Sequence, residues 1–145
     1  MSTVSHEKRL SDVLRGMRYR VEAGRFALLG FPEAPGPADL EALADVPSQL
    51  VREVGETTLL VRDTHAPAIR ARHPGARVVT GLCWIRFESP MDWDVVGFLA
   101  RVARELATAG IPIGAVCGFS RDHVFVDERY LSLARERLDN LFGPH

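Results

Sequence analysis

The order in which hydrophobic periods follow one another in 84–142 limits the folds open to this chain. WIRFESP reads as a strand closed by Pro90. Val95, Leu99, Val102 and Leu106 then recur at helical spacing, with Arg101, Arg104 and Glu105 on the opposite side and Asp92 or Asp94 available as the cap. Gly110 ends this helix and Pro112 prevents its resumption. The nearly continuous apolar run 111–119 suits a strand in the middle of a sheet. Ser120-Arg121-Asp122 makes a turn, 123–126 returns, and Asp127 caps a last helix whose stripe is Leu131, Ala134, Leu138 and Leu141. Strand, helix, strand, strand, helix gives a sheet covered by helices on one face, in a segment too short to be a complete domain.

The preceding residues repeat much of that order. RFALLGF at 25–31 is a short apolar strand ended by Pro32, and 38–45 has room for about two helical turns. Two strands at 49–54 and 56–62 are separated by Gly55. A short helix at 64–72 carries Pro67 near its first turn, and 77–88 is a long strand with a bend at Gly81. No residue-level repeat accompanies this, so duplication rests on element order. The organisation expected is an extension at 1–24, a first half at 25–82 and a second at 83–145. Leu10, Val13, Leu14 and Met17 make the extension a short amphipathic helix, read as a solvated or frayed tail.

Composition excludes several function classes. The chain has 145 residues, 46% of them apolar and 26% charged, so it can bury a core. A net charge of -1 lacks the clustered basic surface a nucleic-acid binder needs, so no nucleic-acid partner is expected. No apolar run reaches the roughly 18 residues that span a bilayer and the N-terminus is too polar for a signal peptide, so a cytoplasmic protein without a membrane partner is expected. Cys83 and Cys117 fall in apolar runs and read as buried, reduced thiols.

Catalytic apparatus is not visible. Gly118-Phe119-Ser120 lacks the flanking pattern of a nucleophile elbow, and 114–118 has neither GxGxxG spacing nor a Walker lysine. His65 and His73 stand eight apart, not at zinc spacing, and Asp122-His123 is the only adjacent acid–base pair near the turn. Neither a metal nor a cofactor is expected, and no enzyme. A binding site is easier to compose. A free amino acid presents a carboxylate, which the N–H groups at a helix start can receive, and an ammonium, which Asp122 or the Gly118 carbonyl can accept. Gly97 permits close backbone approach and Trp93 offers a stacking face. The alternatives are structural: Asp92 and Asp94 as caps, Asp122 as a turn residue, Trp93 packed beneath a loop.

These residues resemble a family. PMDWDVVG at 90–97, AGIPI at 109–113 and CGFSRDHVFV at 117–126 look like ACT domains, in particular tandem ACT-like bacterial proteins related to the CASTOR amino-acid sensors. The resemblance implies an α+β fold, a ferredoxin-like βαββαβ antiparallel sheet with helices on one face, present as two pseudo-repeats. It implies a non-enzymatic regulatory module that binds an amino acid or similar metabolite at the interface between ACT-like units and pairs into a homodimer through its sheets. Carried over by position, Asp122 matches the acidic turn, Gly118 and Phe119 the strand end lining the pocket, and Asp92, Trp93, Val95, Val96 and Gly97 the loop and first helical turn. Glu56-Thr57-Thr58-Leu59 resembles a Glu-x-Ser-Val segment, which adds Thr58 and Leu59. Ser120 replaces a second acid found in many relatives and Arg121 adds a positive charge, which argues against a strongly cationic ligand. The alternative function is a structural or interaction protein whose pocket has degenerated.

Overall fold

The computed structural model describes residues 2–143. It divides into a central unit, Ala23–Cys83, and a terminal unit made of Met1–Glu22 together with Trp84–His145.

In chain order the central unit contains β2 (Phe26–Phe31), α2 (Pro37–Ala42), β3 (Gln49–Glu53), β4 (Glu56–Arg62), α3 (Ala66–Arg72) and the first part of β5 (Arg77–Phe87). Strands follow the order β3-β4-β2-β5, all antiparallel. Numbered within the unit this is 4-1-3-2 read from β5, the ferredoxin-like βαββαβ arrangement. Period-two alternation sends Ala27, Leu29, Phe31, Leu59 and Val61 to one face, where Ala42 of α2 and Ala66 and Ile69 of α3 cover them. Gly55 turns β3 into β4 at φ +81°, a conformation costly for any residue with a Cβ. Gly81 sits at φ +71° where the β2–β5 register shifts, the bend expected from the sequence.

The terminal unit contains α1 (Thr3–Gly16), β1 (Tyr19–Val21), the end of β5, α4 (Phe98–Thr108), β6 (Gly114–Cys117), β7 (Asp122–Asp127) and α5 (Leu131–Phe142). Its strand order is β1-β5-β7-β6. Counting from β5, this is again 4-1-3-2, but the fourth strand comes from the chain's beginning: Tyr19, Arg20 and Val21 pair antiparallel with Phe87, Arg86 and Ile85. The core is aromatic. Phe98 of α4 and Phe142 of α5 both pack edge-on against Phe87, with centroids 5.1 and 5.8 Å away, which places both helices on one face. α1 lies against α4 and α5 and buries Leu14, while Met17 after it is buried completely.

Four expectations need correction. α4 starts at Phe98, not near Val95, and its buried stripe is Phe98, Val102 and Leu106, so Leu99 is not part of it. Gly97 at φ +92° is the reason: its left-handed conformation breaks the turn that Val95 would have opened. β6 spans only Gly114–Cys117 and has β7 as its one partner in this unit, so it is an edge strand rather than a central one. Pro112 has no backbone N–H to give a ladder, and the strand starts only after it. Cys117 is exposed, unlike Cys83. The 1–24 segment is a helix and a strand built into the terminal unit, not a frayed tail, because a three-residue strand has no periodicity to read.

Candidate functional site

The terminal unit holds a cavity of about 300 Å³ where the loop before α4 meets the β6–β7 hairpin. One wall is Met91, Asp92, Trp93 and Val95 with Gly97, Phe98, Leu99 and Ala100; the other is Cys117 to Asp122. The two walls are fastened by a hydrogen bond from the Met91 N–H to the Ser120 carbonyl, 2.9 Å. The hairpin tip is closed by Gly118 N–H donating to the Arg121 carbonyl at 2.8 Å. A Cβ on Gly118 would stand 3.2 Å from that carbonyl, which is why a glycine suits the position.

Of the residues singled out from sequence, Asp92, Trp93, Val95, Gly97, Gly118, Phe119 and Asp122 surround this one cavity. Val96 lies in the same loop, exposed and outside the lining. Thr58 and Leu59 belong to the central unit. Thr58 lines a different hollow with Gly30, Glu56 and Arg77, and Leu59 is fully buried core. Cys117, Phe98, Leu99 and Ala100 were not anticipated as lining. Cys117 ends an apolar run that suits a buried strand, and a helix start near Val95 sets the other three inside the helix rather than at its open first turn.

The cavity's polarity follows from its two ends. Among the described residues no side chain caps α4, and its first internal bond is Arg101 N–H to Gly97 carbonyl, so the N–H groups of Phe98, Leu99 and Ala100 make no bond within the helix. They carry the positive end of the helix dipole into the cavity wall. Asp92 and Asp94, read from sequence as caps, are instead held by Arg9 of α1, at 2.9 and 3.0 Å. The hydrogen bond from Arg9 holds the Asp94 carboxyl below the usual carboxylate range.

At the other end, the Cys117 thiol donates to Asp122 Oδ1 at 3.2 Å. That bond pushes the thiol pKa up, because the carboxylate favours the protonated sulfur. The positive charge of Arg121 does not neutralise this carboxylate by a direct bond; its Nε donates to the Glu88 carbonyl at 3.0 Å. Trp93 and Phe119 stand on the rim 84% and 94% exposed, so Trp93 does not pack beneath a loop.

Asp122 and His123 do not form an acid–base pair. Successive strand residues point to opposite faces, and His123 Nδ1 accepts the Trp84 Nε1–H bond at 3.0 Å. Burial, then the nearby Arg86, depress the His123 pKa. Among the described residues no cluster of three potential metal ligands occurs, and no helix is long and apolar enough to cross a membrane.

Residues 78–140 match the family model of the ACT domain. Over that stretch the chain is similar to the ACT domain. The match takes in β7, α4, most of α5 and the entire cavity lining, and leaves out α1 and β1. Solved structures share the fold over far more of the chain. An Agrobacterium tumefaciens protein is 22% identical with a TM-score of 0.73, covering 86% of this chain and 88% of its own. A Vibrio cholerae protein of unknown function is 23% identical with a TM-score of 0.73, covering 94% and 98%. The ligand-free regulatory subunit of aspartate kinase from Thermus thermophilus is 15% identical with a TM-score of 0.62, covering 87% and 98%. At such identities the likeness concerns fold. No curated protein matches the chain by sequence.

Proposed function

We propose that this protein is a non-enzymatic regulatory module that binds a free amino acid, or a metabolite with the same two charged groups, in the cavity between α4 and the β6–β7 hairpin. One observation carries the reading: an uncapped helix start and the Asp122 carboxylate face the same 300 Å³ space. The ligand carboxylate takes the N–H groups of Phe98 to Ala100, and its ammonium takes Asp122. Met91, Val95, Phe98 and Leu99 surround the ligand's side chain. Gly97 and Gly118 keep the backbone close, and Trp93 and Phe119 close the mouth. Pairing of two copies along the outer edge of β6 would cover those two aromatics and satisfy the strand's open ladder, which supports a homodimer with the ligand near its interface.

The exposed Trp93 and Phe119 also favour a second reading, an interaction protein whose cavity is a docking feature rather than a ligand site. Thermal-shift measurements with the twenty amino acids separate the two. A ligand at 100 times its Kd adds about 2.7 kcal/mol of stability, and Asp122→Asn removes the shift. A flat response to all twenty overturns the sensor reading and leaves the interaction reading.

A further inference from the structure

We propose that Arg9 is a positioning residue of this cavity: from outside the ACT match, it holds the two carboxylates at the cavity's mouth and cancels one of their two negative charges, so that the start of α4 can accept a carboxylate. The inference rests on the ligand site proposed above and names what controls it.

The loop before α4 carries Asp92, which lines the cavity, and Asp94 two residues on. Two acids this near an uncapped helix start would draw towards its dipole and repel an incoming anion. A single guanidinium counters both effects by fixing the two acids in place and cancelling one of their two charges. Arg9 Nη2 lies 2.9 Å from Asp92 Oδ2 and 3.0 Å from Asp94 Oδ1. Leu10, its neighbour, has its Cδ2 3.2 Å from where a Gly97 Cβ would stand, so α1 packs close over the residue that fixes the helix start and leaves little room for a side chain there. The helix is anchored independently of these contacts by buried Leu14 and Met17, so removing Arg9 leaves α1 in place.

Acetate, a carboxylate with nothing else attached, is the probe. In full-length protein it shifts the backbone amide resonances of Phe98, Leu99 and Ala100, and its apparent affinity falls about threefold to tenfold in Arg9→Ala. The loss shrinks in 1 M salt. Arg9→Lys retains most of the affinity, and the triple variant Arg9→Ala/Asp92→Asn/Asp94→Asn recovers it. Recovery is the readout that a merely structural Arg9 would not give. Equal acetate affinity in wild type and Arg9→Ala, no recovery in the triple variant, or unmoved wild-type amides overturns the proposal. If amino acids bind while acetate affinity ignores Arg9, only this proposal fails. If acetate binding depends on Arg9 but no amino acid binds, the amino-acid reading fails and the carboxylate site stands.

Discussion

Replacing Asp39 by alanine removes the most connected buried charge in the central unit. Asp39 is 1% exposed and its carboxylate accepts four bonds: Gly36 N–H at 2.9 Å, Arg72 Nε at 2.8 Å, Arg72 Nη2 at 2.6 Å and His73 Nε2 at 2.8 Å. It thus ties the start of α2 to the end of α3. Not all four losses count equally. Arg72 retains a third of its side-chain surface and can turn to water, whereas His73 is clamped by stacking on Phe31, centroids 3.8 Å apart, and cannot. Breaking a buried charge pair by removing one partner costs about 3–5 kcal/mol, and the escape open to Arg72 puts the expectation at the low end, about 3 kcal/mol. For a chain of this size that is a fall in Tm of roughly 6–12 °C. Urea denaturation of Asp39→Ala against wild type, followed by circular dichroism, measures it. The pH dependence has a definite sign. Burial raises the Asp39 pKa, but the bonds from His73, Gly36 and Arg72 outweigh it, and the folded value lies below the ordinary one. The stabilisation is therefore complete above about pH 4 and is lost as pH falls through the lower folded pKa. A loss under 1 kcal/mol at pH 7, or a wild-type-like acid transition in Asp39→Ala, would refute the reasoning.

Two further outcomes follow from contacts elsewhere. Cys117, exposed but held protonated by Asp122, reacts slowly with a thiol reagent at pH 8; Asp122→Asn speeds the reaction, while buried Cys83 stays unlabelled until the protein unfolds. Mass spectrometry of the labelled peptides checks this, and an Asn variant no faster than wild type counts against the bond. At Gly114, a Cβ would stand 1.9 Å from the Phe125 ring that lies across the strand pair, so Gly114→Val costs about 1–3 kcal/mol in chemical denaturation. The double change Gly114→Val/Phe125→Ala relieves the clash, and an unrelieved double variant would show that the ring is not the obstacle.

Much of the fold was legible in the residues because each signal is local. Gly55 between two β-prone runs and Pro67 at a first helical turn act within a few residues of themselves, as does Asp127, although its carboxylate accepts the Arg129 N–H and so caps the short turn 128–130 rather than α5, which starts at Leu131. The candidate site was partly legible for the same reason, since the Trp93–Gly97 loop and the Gly118–Asp122 hairpin each advertise a turn. Their meeting around one cavity was an expectation that spacing could not supply.

What the sequence determined by itself is the alternation of strand and helix and the polarity of the element ends, because period and turn chemistry are properties of neighbouring residues. Tertiary structure alone decided that Tyr19–Val21 completes the sheet formed by the residues from Trp84 onward, that Gly97 delays the start of α4, and that Arg9 holds both acids of the loop before that helix. The physical reason is the same in each case: these are bonds between residues some 65 to 85 positions apart in the chain, or a backbone angle that such packing fixes, and no local pattern encodes a partner at that distance.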